Sequence, residues 1–164
     1  MSSYTFGKAE VCAWIRENFP PDATVLDVGA CDGLWRRLLP EYTMDAVEVY
    51  APNVARLTGY RAAIQADIMD YRFKWYDLII FGDVLEHLTV EDAQALLEYS
   101  FPRCRDMIVA VPFLYPQGAI YGNPYEVHRQ PDLTPAVFAE RYPGLVPLIM
   151  FDGYAYYRKE KTNG

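Results

Sequence analysis

Acidic residues lie where successive predicted strands of this 164-residue chain end. Four apolar, β-branched runs each close with an aspartate or glutamate, and the carboxyl ends of parallel strands meet at one edge of a sheet. A single acid at a strand end is more often a solvated charge than a ligand contact. Four of them at one edge favour a ligand that carries hydroxyl groups or positive charge. These acids are Asp27, Glu48, Asp67 and Asp83.

The turn after the first strand has the composition of a ligand-binding loop. Residues 25–39 read VLDVGACDGLWRRLL, so a buried strand passes through two glycines into a predicted helix. Gly29 and Gly33 let a ligand approach the backbone closely because neither carries a Cβ atom. The dinucleotide fingerprint G-x-G-x-x-G is missing: Cys31 stands where its middle glycine usually falls, and Asp32 would repel a pyrophosphate. The loop therefore favours a cationic ligand without phosphate over NAD.

The acids at the later strand ends suit a nucleoside. Glu48 lies about 20 residues after Gly29, the spacing at which an acid can accept hydrogen bonds from the hydroxyls of a ribose. Asp67 can accept a hydrogen bond from an adenine amino group, and Ile68 can lie against the ring face. Asp27 is expected to accept hydrogen bonds from the loop or from a cationic group of the ligand.

Four segments of the chain resemble the motifs of the class I S-adenosylmethionine-dependent methyltransferases. VLDVGACDG is similar to the first motif, AVEV to the second, QADIMDY to the adenine-binding third, and YDLIIFGDVLEHL to the fourth. The resemblance covers about residues 22–112, and its most specific part is the D-x-L-E-H form at residues 83–87. Cys31 departs from the glycine that is usual in the family. The resemblance implies S-adenosyl-L-methionine as the cofactor, held by Asp27, Gly29, Ala30, Cys31, Gly33, Glu48, Val49, Asp67, Ile68, Gly82, Asp83 and Val84.

The two histidines of the chain both fall near the predicted cofactor edge. His87 closes the fourth motif, and His128 lies in a segment rich in proline, glycine and tyrosine that also contains Tyr121. This segment can form an aromatic acceptor pocket or can simply pack onto the sheet. A lone histidine is more often a structural hydrogen-bonding group, so that role stays open for both. The catalytic candidates are His128, His87 and Tyr121, and no metal site is predicted.

The elements that position these residues alternate between strands and helices. Thr89 and Thr134 are predicted N-caps, a short helix with Pro52 in its first turn is expected to end just before Gly59, and Asp152-Gly153 is a strong hairpin signal. The pattern predicts an α/β, Rossmann-like, doubly wound seven-stranded sheet, mostly parallel, with one antiparallel strand in the C-terminal hairpin. The predicted strands are residues 24–29, 44–50, 62–67, 76–83, 106–113, 145–151 and 154–160.

A single methyltransferase-like domain is predicted for residues 1–164, because the chain is long enough for one core and little more. Its parts are an N-terminal helix (1–21), a cofactor-binding core (22–112), an acceptor-side segment (113–133), and a last helix with a β-hairpin (134–164).

The composition excludes several classes of partner. The net charge of −7 makes nucleic acid a poor partner, and no apolar run is long enough to span a membrane. The N-terminus lacks the order of a secretory signal, and three widely separated cysteines read as reduced thiols, so the expected location is cytoplasmic. The expected partner is a small-molecule or protein substrate, and the oligomeric state stays open.

Three functions remain compatible with the sequence. The first is an S-adenosylmethionine-dependent methyltransferase acting on a small molecule or on a side chain presented by a partner. The second is a non-catalytic protein of the same fold that binds S-adenosylmethionine. The third, a nicotinamide-dependent oxidoreductase, is disfavoured by the missing glycine and by Asp32.

Overall fold

The computed structural model describes residues 6–161, which form a seven-stranded sheet with helices on both faces. Residues 1–5 and 162–164 of the predicted domain lie outside the described part. Two short 3-10 turns important for the site lie at Leu85–His87 and Pro124–Glu126. The strands are β1 (Thr24–Val28), β2 (Thr43–Glu48), β3 (Ala62–Gln65), β4 (Tyr76–Gly82), β5 (Cys104–Pro112), β6 (Leu145–Phe151) and β7 (Tyr154–Lys159). The helices are α1 (Lys8–Asn18), α2 (Leu34–Leu38), α3 (Ala51–Val54), α4 (Val90–Ser100) and α5 (Pro135–Arg141).

The sheet order is β3-β2-β1-β4-β5-β7-β6. Strands β1 to β5 pair in parallel, whereas β7 runs antiparallel to both β5 and β6. The predicted sheet, including its single reversed strand in the hairpin, is confirmed. The chain builds outward from β1 to β3 and then returns to β4 on the other side of β1. Ligands bind at such a reversal, beyond the carboxyl ends of the strands.

The inner strands β1, β2, β4 and β5 bury both of their faces, which explains their nearly continuous apolar sequences. The edge strands β3 and β6 are largely half-buried or exposed. One core cluster packs Leu26 and Val28 of β1 against α4 and α5, and the other packs Val25 of the same strand with α1 and α2. Successive side chains of a strand thus point to opposite faces of the sheet, and polar residues lie at the strand ends.

Local capping confirms two helix starts. Thr89 Oγ1 accepts a hydrogen bond from the Asp92 amide at 3.1 Å, and Thr134 Oγ1 accepts one from the Val137 amide at 3.1 Å. The prediction for α3 was wrong in length, because the helix ends at Val54 and not just before Gly59. Hydrogen bonds between residues three apart replace the α-helical pattern there. The Arg56 amide donates to the Asn53 carbonyl, and the Leu57 amide donates to the Val54 carbonyl.

The segment between β5 and α5 is irregular, as predicted. It is closed at its base by a hydrogen bond from the Leu114 amide to the Leu133 carbonyl at 2.8 Å. Between these ends it folds back over the carboxyl edge of the sheet. Of the helices in residues 6–161, none has the length and apolar character needed to cross a membrane.

Candidate functional site

A cavity of about 410 Å³ opens at the carboxyl ends of β1, β2 and β4, below the segment between β5 and α5. Its size falls in the range of about 300–1,000 Å³ that is usual for small-ligand sites. The predicted site residues that line it are Gly29, Cys31, Glu48, Val49, Asp67, Ile68, Gly82, Asp83, Val84, His87 and His128. The structure does not place Asp27, Ala30, Gly33 or Tyr121 on its wall.

The loop after β1 runs through left-handed backbone conformations. Gly29 has φ +67° and Gly33 has φ +75°, and Cys31 between them has φ +49°. Glycine adopts this region without strain, whereas a side-chain-bearing residue there costs on the order of 1–3 kcal/mol. The geometry explains why glycine is usual at the position of Cys31. The thiol side chain is tolerated, and burial raises its pKa.

Gly29 is constrained by contact as well as by its φ angle. A Cβ atom built on it would lie 2.8 Å from Val84 Cγ2, whereas one built on Gly153 (φ +76°) meets nothing within 4 Å. We expect Gly153→Ala to lower the free energy of unfolding by about 1–2 kcal/mol, from left-handed strain alone. Gly29→Ala should lower the free energy of unfolding by about 1–3 kcal/mol more than Gly153→Ala, because Val84 must repack. Chemical denaturation of both variants measures the difference, and equal losses would contradict a close contact in the loop.

Glu48 joins the loops that follow β1 and β2. Its Oε2 accepts a hydrogen bond from the Cys31 amide at 2.9 Å, and its Oε1 accepts one from the Tyr50 amide at 2.8 Å. The carboxylate is buried but lines the cavity. Each carboxylate oxygen has a further lone pair. The side chain is therefore fixed in place and can still accept hydrogen bonds from a pair of ligand hydroxyls.

The end of β3 presents a polar and an apolar group side by side. Asp67 Oδ1 accepts a hydrogen bond from the Met69 amide at 2.9 Å, which holds the turn in shape. Asp67 itself is exposed, and the neighbouring Ile68 is buried against the cavity wall. This pairing of an acceptor with an apolar surface suits the edge and face of a heterocyclic base.

Asp27 lies beneath the loop and supports it. The side chain is fully buried, and its Oδ2 accepts a hydrogen bond from the Tyr60 hydroxyl at 2.5 Å. Burial raises the pKa of Asp27 to about 7, although the Tyr60 hydrogen bond opposes that shift. The structure thus places Asp27 behind the loop, and a direct contact between it and a ligand stays a prediction.

Asp83 follows the end of β4 and lines the cavity, and Lys8 of α1 is a buried cation. Asp83 Oδ1 accepts a hydrogen bond from the Tyr154 hydroxyl at 2.6 Å. Lys8 is buried with its Nζ 4.2 Å from the centre of the Trp35 ring, and burial lowers its pKa while Asp83 and Asp27 oppose that change. The two acids thus favour the charged form of the lysine, and its burial disfavours that form.

The two histidines meet at one side of the cavity, beneath the segment between β5 and α5. Their rings are 4.7 Å apart in an edge-to-face arrangement. His87 Nδ1 lies 3.3 Å from the Val127 carbonyl, and His128 Nδ1 lies 2.6 Å from the Tyr115 carbonyl. A carbonyl oxygen can only accept, so each Nδ1 carries a proton, and the neutral form of either ring would have its lone pair on Nε2. Burial lowers the pKa of His87 to about 4, with His128 adding to the shift.

Backbone contacts fix His128 beside the 3-10 turn that carries Glu86 and His87. The amides of Arg129 and Gln130 donate to the Glu86 carbonyl at 2.7 Å and 3.1 Å. The buried Gln130 side chain donates to the carbonyls of Leu85 and Leu88, at 2.8 Å and 3.1 Å. Hydrogen bonds within the protein thus hold this arrangement in place.

Tyr121 lies apart from the histidines. Its side chain is 90% exposed and does not reach the cavity, whereas Tyr115 and Tyr125 of the same segment line it. The structure therefore brings together two of the three catalytic candidates and leaves the third at the surface.

Several important residues were missed by the sequence reasoning. Lys8 shares the spacing of Val11, Cys12 and Ile15, which marks the inward face of α1, so its burial could have been inferred. Glu86 stands inside the quoted fourth motif between Leu85 and His87 and is 1% exposed. No sequence signal marks Gln130, whose role depends on how the irregular segment folds.

Comparison with known proteins gives a likeness of fold. The sequence matches no protein-family model and no curated protein. The DhpI complex with SAH is 17% identical over 98% of this chain and 89% of its own, with a TM-score of 0.71. CalS10 from Micromonospora echinaspora, an amino pentose methyltransferase with SAM bound, is 14% identical over 92% of this chain and 88% of its own, with a TM-score of 0.67.

A third solved structure shares the same architecture. It is the 1,6-didemethyltoxoflavin-N1-methyltransferase of Burkholderia thailandensis with 1,6-didemethyltoxoflavin and S-adenosylhomocysteine bound. It is 16% identical over 95% of this chain and 79% of its own, with a TM-score of 0.66. The chain therefore has the Rossmann-like fold of S-adenosylmethionine-dependent methyltransferases.

Proposed function

We propose that this chain, which has the methyltransferase fold, is an S-adenosylmethionine-dependent methyltransferase acting on a small molecule or on a side chain presented by a partner. The observation that carries the proposal is the position of Glu48, held by amides of two loops at the rim of the cavity. The bound SAM or SAH of several structural neighbours supports the same cofactor here.

The cavity residues fit the parts of such a cofactor. Glu48 would accept hydrogen bonds from the ribose hydroxyls, and Asp67 with Ile68 would take the adenine edge and face. Asp83 at the end of β4 would lie toward the positively charged amino-acid end, where an acid stabilises a cation. When bound, the cofactor supplies an electrophilic methyl group. The protein contributes orientation, which accelerates a displacement reaction without a covalent intermediate.

The acceptor would lie against the histidine side of the cavity. Tyr115, Tyr125 and His128 give this side an aromatic wall, and the Nε2 lone pairs can accept a proton from the acceptor. Nucleic acid is not proposed as the acceptor, because a net charge of −7 opposes binding to phosphates. The cysteines among the described residues form no disulfide, which supports a reducing, cytoplasmic location.

Cofactor choice tests the proposal directly. Titration calorimetry should show saturable binding of S-adenosylmethionine or S-adenosylhomocysteine and no measurable binding of NAD or ATP. The reason is that the loop after β1 carries Asp32 near the place where a pyrophosphate would have to lie. Comparable affinity for NAD would overturn the proposal.

A product assay separates an enzyme from a protein that only binds the cofactor. Cell extracts are incubated with the protein and S-adenosylmethionine that carries a labelled methyl group. An enzyme transfers label to an acceptor and releases S-adenosylhomocysteine, whereas a binding protein leaves the cofactor unchanged. The labelled product also identifies the acceptor atom.

A further inference from the structure

We propose that Glu86, His87 and His128 bind one divalent first-row transition metal ion, of the kind represented by Zn²⁺, at the acceptor side of the cavity. One ligand atom from each of the three residues lies within 4.8 Å of the other two. Ligand atoms around a tetrahedral Zn²⁺ lie about 3.3 Å apart, given bonds of about 2.0–2.2 Å. Small side-chain rotations are therefore enough to close the set around an ion.

The hydrogen bonds of both histidines prepare them as ligands. Each Nδ1–H points to a backbone carbonyl, of Val127 for His87 and of Tyr115 for His128. Metal-binding histidines usually donate their second ring N–H in this way, which fixes the tautomer and the ring orientation. The Nε2 atoms are left as the ligands, and His87 Nε2 is already 3.9 Å from Glu86 Oε1.

The buried carboxylate of Glu86 has no hydrogen-bond partner among the described residues. A buried carboxylate without compensation is costly, and Asp83 nearby adds negative charge. Burial raises the pKa of Glu86 well above its usual value, and the negative charge of Asp83 raises it further. A bound cation would supply the missing charge and ligand.

The scaffold around the three residues is rigid. The Gln130 side chain that holds the Glu86–His87 turn is itself fixed through its Oε1, which accepts from Tyr142 Oη at 2.8 Å and from Arg141 Nη1 at 3.1 Å. Ligands held by supporting hydrogen bonds lose little freedom when an ion binds.

The ligand types favour one group of metals. Two imidazoles and one carboxylate suit Zn²⁺ and its neighbours, whereas Mg²⁺ and Ca²⁺ prefer sets made of oxygen ligands. Three protein ligands leave a coordination position open toward the cavity. Under the proposed methyltransferase function, on which this step rests, that position would bind an oxygen of the acceptor and favour its deprotonated form.

Metal binding is tested without any methyl transfer. Chelator-treated full-length protein, produced without a histidine tag, is titrated with Zn²⁺ by calorimetry and with Co²⁺ by visible absorption. We expect one equivalent per chain, a Co²⁺ spectrum without thiolate charge transfer, and a rise in Tm with Zn²⁺. The absence of thiolate bands excludes the three cysteines as the source of the signal.

Two variants assign the site. Glu86→Gln and His128→Asn should each lower the affinity for Zn²⁺ by about 100-fold or more. Removing a residue that only hydrogen-bonds to a metal ligand typically lowers affinity by about 10–100-fold. Glu86→Gln also removes a buried charge, so its Tm without metal should equal or exceed the parent's, which shows that the variant folds. Asparagine at position 128 keeps a donor toward the Tyr115 carbonyl and removes only the Nε2 ligand.

Two results would overturn the metal site: no saturable Zn²⁺ binding, or binding that neither variant weakens. The proposed function fails separately, because it predicts binding of S-adenosylmethionine in the presence of chelator. A protein that binds Zn²⁺ but not the cofactor would keep the metal site and remove the methyltransferase proposal.

Discussion

Glu48→Ala is expected to raise the Kd for S-adenosylmethionine by roughly tenfold to a hundredfold or more, as measured by calorimetry. Each hydrogen bond from a ribose hydroxyl to the carboxylate is worth about 1.5–3 kcal/mol, and each 1.4 kcal/mol corresponds to a factor of ten in Kd. The substitution also releases the amides of Cys31 and Tyr50, so the two loops lose the anchor that shapes the rim. Both effects act in the same direction on cofactor affinity.

Asp77→Ala is the matched control. Asp77 Oδ2 accepts hydrogen bonds from the Thr24 amide at 2.7 Å and from Thr24 Oγ1 at 2.9 Å, so this acid also joins two elements. It lies at the start of β4, at the opposite edge of the sheet from the cavity. Both variants should lose some stability, but only Glu48→Ala should lose cofactor affinity. An unchanged Kd in Glu48→Ala would show that the second motif was misplaced.

The sheet could be predicted because its signals are local. The inner strands β1, β2, β4 and β5 bury both faces and so read as continuous apolar runs. Thr89, Thr134 and Asp152-Gly153 mark helix starts and the hairpin turn by short-range hydrogen bonding and backbone preference. The parallel arrangement then follows, because helices between strands require crossover connections. Parallel strands have their carboxyl ends at the same edge of the sheet, so the shared location of Glu48, Asp67 and Asp83 could be predicted too.

The meeting of the two histidines could not be predicted in the same way. His87 and His128 lie far apart in the chain and meet because backbone amides and Gln130 fix an irregular segment on the turn after β4. Such contacts have no period and no short-range signal. The same reason explains why Tyr121 looked like a pocket residue in the sequence and lies at the surface in the structure.

His128→Ala is expected to lower turnover by about 100-fold while leaving cofactor affinity nearly unchanged. The Nε2 of this residue can serve in proton transfer or as a metal ligand, and general acid–base work contributes about 10²–10⁴-fold. Turnover is measured on an acceptor found by the labelled-methyl screen, and Kd by calorimetry. A loss of only a few-fold would indicate positioning of the acceptor and not chemistry.

His128→Asn separates the chemistry of the ring from its tether. Asparagine can still donate to the Tyr115 carbonyl, so a tethering role predicts that it restores turnover and a role of Nε2 predicts that it does not. His87→Ala is the internal comparison, and it should disturb both cofactor binding and turnover less sharply, because His87 follows the end of β4. If His128→Ala abolishes cofactor binding or leaves turnover untouched, the segment is structural and the acceptor binds elsewhere.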